Sequence, residues 1–207
     1  MSNTIITINR ECGSGGGSIA RLLGEKLGLK VYGRTFIEKV ADEFGITMEN
    51  MDQIMAQKTN WWNDICRMYQ QFGAASYTSG NVEPTPLSLY YSEARLLREL
   101  AEKESCIIVG RAGFHIFRDT PNAHHILIVA DRDARIGRIA EKEHLDTDEA
   151  AKVVDRIDRE RDTFVKNVAD TSRLDAHNYD ICINVTGLTP ENVSTVLAQN
   201  IRHKTGF

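Results

Sequence analysis

An apolar run, a cluster of glycines and a helical pattern follow one another at the start of this sequence. Residues 4–8 are rich in β-branched side chains and predict a strand buried on both faces, as in a parallel sheet. Glycines dominate residues 13–17, and a helical pattern begins at Ser18. In such a unit the loop N–H groups point inward and the helix N-terminus adds positive potential. The sequence therefore predicts a phosphate-binding loop.

Strand and helix patterns alternate along most of the remaining chain. Four more apolar runs predict strands, at residues 29–32, 105–109, 125–130 and 180–184. Helical patterns follow these runs, at residues 34–44, 90–103, 132–143, 146–168 and 190–202. Strands that alternate with helices favour a parallel sheet with helices on both faces. We therefore predict a single α/β domain over residues 1–207, with three α/β/α layers and a central five-stranded parallel sheet.

The segment at about residues 47–88 interrupts this alternation. It carries several methionines, the pair Trp61-Trp62 and a run rich in Gly, Ser, Thr and Pro. We interpret it as a helical insertion with a loop, placed in a core of residues 1–46 and 89–207. The aromatic pair can stack on a base, but packing or an interface fits its spacing better, and a homo-oligomer is compatible with that.

The glycine loop matches two nucleotide-binding patterns only in part. The dinucleotide pattern G-x-G-x-x-G needs a glycine at Ser18 and an acidic residue after the second strand, where Tyr32-Gly33-Arg34 stands. The pattern G-x-x-x-x-G-K-[ST] fits better in position. With Gly15 as its last glycine, Gly16 stands at the lysine position and Arg10 at the first glycine position. A glycine turn without a ligand is the alternative, although consecutive glycines are costly in a merely structural turn.

The missing lysine leaves a positive charge to be supplied. Phosphoryl transfer depends on positioning and on cations more than on covalent chemistry. Arg10 leaves the first strand beside the loop and is the first candidate, and Arg111 ends the third strand at the edge where α/β sheets bind ligands. A structural ion pair is the alternative for each. Residues 156–162 alternate in charge, which is typical of a solvated helix or of a basic patch folded over a site.

Segments along nearly the whole chain resemble the cytidylate kinase-like family, within the P-loop nucleoside monophosphate kinases. They are R-E-C-G-S-G-G-G-S after the first strand, G-R-A-G after the third, A-D-R-D-A-R-I-G-R-I after the fourth, D-R-I-D-R-E-R-D, and the closing D-I-C-I-N-V-T-G-L-T-P-E-N-V. Cytidylate kinases keep a lysine where Gly16 stands and an aspartate where Ala112 stands. The chain therefore resembles a lysine-free branch of the family.

This resemblance implies a P-loop kinase fold with a mobile helical lid at about residues 146–170. It also implies transfer of the ATP γ-phosphate to CMP or a related small phosphate-bearing acceptor, with Mg²⁺ bound to ATP. Two alternatives stay open, because a fold does not fix function. Gly16 and Ala112 would suit a nucleotide sensor with little or no turnover, and the insertion leaves room for a kinase of a non-nucleotide metabolite.

The expected site residues fall into four groups. Catalytic roles are expected for Arg10, and by resemblance for the lid arginines Arg159 and Arg161. The ATP phosphates are expected on Gly13, Ser14, Gly15, Gly16, Gly17 and Ser18, and by resemblance the donor nucleotide is flanked by Arg135 and Arg138. The acceptor is expected on Arg34 and, by resemblance, on Arg111 and Asp162. The Mg²⁺ ligand, direct or through water, is expected to be Ser18.

Composition and hydropathy argue against several other classes of protein. The 25 Lys and Arg against 29 Asp and Glu give a net charge of −4, which argues against a wholly basic nucleic-acid binder. The first residues lack the apolar core of a signal peptide, and no stretch approaches a membrane helix. A cytoplasmic protein without a membrane partner is therefore expected. The four cysteines form no C-x-x-C pair, and we expect Cys106 and Cys182 to be buried.

Overall fold

The computed structural model describes residues 3–33 and 86–205. Within these ranges the elements follow in the order β1 (Ile5–Arg10), α1 (Gly16–Leu27), β2 (Lys30–Tyr32), α2 (Pro86–Lys103), β3 (Cys106–Val109), α3 (Gly113–Ile116), β4 (Ala123–Val129), α4 (Arg132–Glu143), α5 (Thr147–Ala169), β5 (Ile181–Asn184) and α6 (Pro190–Thr205). Several sequence predictions fall outside the described residues. They concern the expected helix at 34–44, Arg34, and nearly all of the expected insertion, with Trp61-Trp62.

The five strands form one parallel sheet in the order β2-β3-β1-β4-β5. The central strand β1 pairs with β3 from Ile5 to Ile8 and with β4 from Ile5 to Arg10. Because all strands run the same way, the residues that follow β1, β3 and β4 meet at one edge of the sheet. The glycine loop and Gly110 therefore lie side by side. The predicted five-stranded parallel sheet is confirmed.

Helices cover both faces of the sheet, as the apolar pattern predicted. On one face Ile8 packs with Leu23 of α1 and Leu197 of α6. On the other face Ile5 packs with Leu97 of α2 and with residues of α3 and α5. Since successive side chains of β1 point to opposite faces, both are covered and the strand carries a continuous apolar run. The three-layer α/β/α architecture is confirmed.

The long helix α5 has a well-defined start and packs along α4. The Asp146 carboxylate caps it by accepting the N–H of Glu149 at 2.8 Å. Ala150 and Val154 are buried between α5 and α4, together with Ile136. The helix runs unbroken for 23 residues, so the segment expected to form a lid is helical, while its expected motion stays a prediction.

Strand β5 lies at the edge of the sheet, and one expectation about it was wrong. Its residues alternate between half-buried and exposed, and Cys182 is exposed, whereas Cys106 on β3 is buried as expected. Because β5 has only one neighbouring strand, β4, its residues are less enclosed than those of the central strands, so an apolar neighbourhood in sequence did not ensure burial of Cys182. Among the described helices, none has the length and apolar character that crossing a membrane requires.

Candidate functional site at the glycine loop

The chain between β1 and α1 forms an open loop at the N-terminus of α1. Gly13 and Gly15 have φ values of +77° and +79°, a backbone region that glycine adopts without strain. The capping residue of α1 is Gly15, which has no side chain, and the first turn of α1 holds no acidic residue. Within the described ranges, the N–H groups of Gly13, Gly15 and Gly16 have no hydrogen-bond partner. Free N–H groups at a helix N-terminus suit phosphate oxygens.

Contacts behind the loop hold it in shape. The Ser14 hydroxyl donates to the Glu11 carbonyl oxygen at 2.9 Å, and the Glu11 carboxylate accepts the N–H of Ala130 at 3.0 Å. A Cβ at Gly13 would lie 2.5 Å from the Arg135 carbonyl oxygen, so the loop packs directly on the backbone of α4. The loop therefore keeps its shape through contacts on the side away from its open N–H groups.

Arg10 extends across the loop from the end of β1. A Cβ at Gly16 would lie 2.7 Å from Cβ and 2.8 Å from Cγ of Arg10, so the stem passes over Gly16. A Cβ at Gly110 would overlap Nη1 of Arg10 and lie 3.3 Å from Cζ. The guanidinium group therefore rests against Gly110. Two glycines from different elements enclose this side chain.

The Arg10 guanidinium is a cation without a counter-ion. Within the described ranges it makes no hydrogen bond and no ion pair. Burial, followed by the charges of Arg161, Arg111 and Arg173, lowers the pKa of Arg10 to about 9. An anion that enters beside it would relieve this repulsion, so the electrostatics favour a negatively charged ligand at the loop.

Asp158 joins helix α5 to the loop. Its carboxylate accepts the N–H of Cys12 at 2.8 Å and a donor of Arg135 at 2.6 Å. Arg173 and Arg161 lie 3.4 and 3.7 Å from the same carboxylate. One carboxylate thus serves a backbone N–H and three arginines. Asp158 was not predicted from the sequence, because its neighbouring residues resemble those of the other acidic residues in this charged helix.

Arg173 lies after α5 and is almost fully buried, with 2% of its side chain exposed. It donates to the Arg10 carbonyl oxygen at 3.0 Å and to the Asp162 carboxylate at 2.7 Å. Its own carbonyl oxygen accepts the hydroxyl of Tyr179 at 2.7 Å. Arg173 was also missed by sequence analysis, because it stands in a polar segment without periodicity and its contact to Arg10 spans most of the chain.

The two expected catalytic arginines of α5 lie on different faces of the helix. Arg161 shares a face with Asp158 and the buried Val165, as a spacing of three or four residues requires, and it donates to the Arg10 carbonyl oxygen at 3.2 Å. Burial lowers the pKa of Arg161. Arg159 is exposed and, within the described ranges, makes no hydrogen bond or ion pair. The structure thus brings Arg161, and not Arg159, to the loop.

Arg111 lies near Arg10 but is already paired. Its Nε and Nη2 donate to the two carboxylate oxygens of Glu93 at 2.6 and 2.7 Å, and Glu93 is only 1% exposed. The guanidinium also lies over the ring of Phe164, 5.2 Å from its centre. Arg111 and Ala112 have φ values of +58° and +49°, a left-handed region that is strained for such residues and is found often at functional sites.

The two arginines of α4 have different surroundings. Arg135 is buried behind the loop, where it donates to the carbonyl oxygens of Ala130 and Cys12 at 3.0 and 3.2 Å. Arg138 donates to the carbonyl oxygens of Gly13 and Val185 at 3.3 and 3.4 Å. Arg138 also lines a cavity of about 230 Å³ beside the loop.

This cavity adjoins the phosphate loop directly. Its walls come from the loop, from α1 and α4, and from the segment after β5, and they include Gly15, Ser18, Lys142 and Leu188. Ser18 is exposed, and its hydroxyl makes no hydrogen bond within the described ranges.

Comparisons with known proteins agree with this geometry. The chain resembles an uncharacterized protein from Eubacterium ventriosum at 23% identity, with a TM-score of 0.70 and coverage of 96% of this chain and 98% of the other. It resembles a shikimate kinase from Acinetobacter baumannii at 11% identity, with a TM-score of 0.52 and coverage of 98% and 95%. These likenesses show a P-loop kinase fold. Among curated proteins, no sequence matches significantly.

The family model named cytidylate kinase-like family matches residues 5–187. The match includes β1, the glycine loop, the arginine network around Asp158 and the segment after β5. It covers most of the chain and agrees with the resemblance carried by the sequence motifs. The chain therefore belongs to the cytidylate kinase-like family.

Proposed function

We propose that the chain is an ATP-dependent phosphotransferase in which Arg10 supplies the charge of the missing loop lysine. The observation that carries this proposal is the Arg10 guanidinium, which lies at the open glycine loop without a counter-ion among the described residues. Six arginines and four carboxylates meet there. Among the described residues, Arg138 donates only to carbonyl oxygens, Arg10 alone of the six has no side-chain partner, and the other four arginines contact a carboxylate. The positive charge of Arg10 is therefore the one left for a phosphate chain.

In this proposal the loop N–H groups bind phosphate oxygens of ATP, and the helix N-terminus adds its dipole. Arg10 contacts the oxygens on which charge resides during transfer of the γ-phosphoryl group, and Arg161 adds a second cation from α5. Because these groups are fixed before the reaction, they need little reorganisation to stabilise the transition state. The cavity beside Arg138 receives the nucleoside part.

Ser18 is the residue that would contact Mg²⁺, directly or through water. Its free hydroxyl suits a hard cation that keeps several waters and uses the oxygens of substrate phosphates. Within the described ranges no group of three His, Cys, Asp or Glu could hold a metal by itself, so ATP and water would complete the coordination. When bound, Mg²⁺ neutralises phosphate charge.

For the acceptor we propose CMP or a related small phosphate-bearing molecule, bound near Arg111. Nη1 of Arg111 is not used by Glu93 and remains for an acceptor phosphate. Asp162 is 54% exposed and can accept a second contact besides that from Arg173. Arg34 belongs to the same proposed set. One observation favours a second candidate: the bidentate Glu93 pair occupies the part of Arg111 best shaped for phosphate, which suits an acceptor without one.

The test is ADP formation by the purified full chain with Mg²⁺ and ATP. CMP, dCMP and UMP are tried in one series, and hydroxylated metabolites without phosphate in a second. Turnover in the first series supports the nucleotide acceptor, and turnover only in the second supports the other candidate. Thermal stabilisation by an ATP analogue without any turnover would identify a sensor. If the chain shows no thermal stabilisation by the ATP analogue and no turnover with any acceptor, the proposal is overturned.

A further inference from the structure

We infer that Gly16 and Gly110 are positioning residues that aim Arg10, and that the cation and the glycine of the phosphate loop have exchanged places in this chain. This inference rests on the proposed role of Arg10. In the lysine-containing pattern, glycine stands at the first position and lysine at the seventh. Here arginine stands at the first position and glycine at the seventh. In this structure a side chain at position 16 would collide with Arg10, so the two arrangements exclude each other.

Gly16 makes room for the stem of Arg10. A Cβ at position 16 would come within 2.7 and 2.8 Å of the Cβ and Cγ atoms of Arg10. These atoms are close to the backbone of β1 and cannot turn away as the end of a flexible side chain can. The neighbouring Gly17 differs, because a Cβ there would have none of the described residues within 4 Å. The need for glycine at position 16 therefore comes from Arg10 rather than from the helix start.

Gly110 makes room for the head of the same side chain from a different element. A Cβ at position 110 would overlap Nη1 of Arg10. Gly110 has a φ of +81°, but the next two residues, Arg111 and Ala112, are also left-handed and are not glycines. A left-handed backbone therefore does not by itself explain why position 110 is a glycine. The absent Cβ allows the guanidinium to rest on the end of β3.

The backbone of Arg10 is fixed as firmly as its side chain. Its carbonyl oxygen accepts donors from Arg161 and Arg173 at 3.2 and 3.0 Å, and its N–H donates to the Asn9 side chain at 2.9 Å. With the main chain held and a glycine at each end of the side chain, the guanidinium has one direction. A cation fixed in this way can stabilise phosphate charge as a loop lysine does, although it comes from a different position in the loop.

The first experiment needs no activity. Chemical denaturation is measured for Gly16→Ala in the natural chain and in a chain that carries Arg10→Gly. We expect Gly16→Ala to lower the denaturation midpoint when Arg10 is present. We expect no lowering when Arg10 is absent, because alanine otherwise favours a helix over glycine. The same loss in both backgrounds would overturn the inference, whatever the chain catalyses.

The second experiment tests the head of the side chain. Gly110→Ala should lower kcat/KM for MgATP at least tenfold, because the displaced guanidinium no longer faces the phosphates. Its matched control is Gly28→Ala, since Gly28 is also left-handed at +67°, but no atom of the described residues lies within 4 Å of a Cβ built there. The control should lose stability only. Equal kcat/KM in the two variants would contradict the role of Gly110.

The third experiment exchanges the two positions. Gly16→Lys alone should be inactive, although it restores the usual lysine, because the new side chain collides with Arg10. The double variant Arg10→Gly with Gly16→Lys should regain kcat/KM to within tenfold of the natural chain. A double variant no better than Gly16→Lys alone would overturn the exchange. A natural chain that neither binds nor turns over ATP would instead overturn the proposed function.

Discussion

Arg10 and Arg135 lie on opposite sides of the same glycine loop, and their surroundings differ in one respect. Arg135 lies behind the loop and donates to two carbonyl oxygens and to the Asp158 carboxylate, with Glu11 at 3.5 Å. Arg10 lies on the open side and has no such partner within the described ranges. Arg135 therefore helps to hold the loop in shape, whereas Arg10 is free to bind a ligand. Both lie close to the loop, so proximity alone does not distinguish the two roles.

The scaffold side should show the largest effect on stability. Asp158→Ala removes the carboxylate shared by Arg135, Arg161 and Arg173, which leaves buried charge uncompensated. We expect the free energy of unfolding to fall by about 3–5 kcal/mol, measured by urea denaturation. Asp155→Ala is the control, because Asp155 forms an exposed pair with Arg132 that water and salt screen, so its loss should change stability little. Similar losses in both variants would contradict the scaffold role.

Substitution of Arg10, on the open side of the loop, should change catalytic activity rather than stability. Arg10→Ala should lower kcat/KM for MgATP at least about 100-fold, a loss of roughly 3 kcal/mol in transition-state stabilisation. Its unfolding free energy should stay the same or rise, because the variant removes a desolvated cation that repels its neighbours. Arg21→Ala on the exposed face of α1 is the control and should change neither quantity. A wild-type rate in Arg10→Ala would move the role to another cation.

A smaller effect should separate the two arginines of α5. Arg161→Ala should lower kcat/KM about tenfold or more, because Arg161 is a second cation at the loop. Arg159→Ala should leave kcat/KM unchanged, since Arg159 is exposed on another face of the helix. Steady-state kinetics on both single variants provides the comparison. A loss in Arg159→Ala equal to that in Arg161→Ala would show that α5 rearranges over the bound ligand, as the expected lid requires.

The smallest effect should appear in the pH dependence. The Arg10 pKa is lowered to about 9, so its charge is present below that pH and is lost as the pH rises through it. Thermal stabilisation by pyrophosphate should therefore weaken between pH 8 and 10 in the natural chain. Arg10→Ala should bind more weakly throughout and lack this step. The unliganded protein should show the opposite sign, because an arginine with a lowered pKa destabilises the fold below about pH 9 and less above it. Identical pH profiles in both chains would contradict the assignment.

Much of the fold could be predicted from local patterns. Helix α4 was predicted at 132–143 and is found at Arg132–Glu143, and β1 was recognised from its β-branched run. Such patterns depend on spacing within a few residues. Helix α1 begins at Gly16, before the predicted Ser18, because its cap is a left-handed glycine rather than a polar side chain. The edge position of β5, and with it the exposure of Cys182, depends on strand order, which no local pattern shows.

The candidate site was predictable only in part. The loop glycines and the place of Arg10 beside them follow from motif positions, and the family resemblance directed attention to Arg161. Asp158 and Arg173 were missed because their contacts to the loop join residues more than 140 positions apart. The resemblance assigned Arg135 to the donor nucleotide, whereas in the structure it donates to protein acceptors behind the loop. Only tertiary contacts reveal which arginines already have partners.

The most direct test is a crystal structure of the chain with Mg²⁺ and a non-hydrolysable ATP analogue. The account predicts that the β- and γ-phosphates lie on the glycine loop, with a guanidinium nitrogen of Arg10 within hydrogen-bond distance of a phosphate oxygen. Arg135 should keep its contacts with Asp158 and the Cys12 carbonyl oxygen. Phosphates bound on the loop with Arg10 turned away, or an analogue bound elsewhere on the chain, would contradict the account.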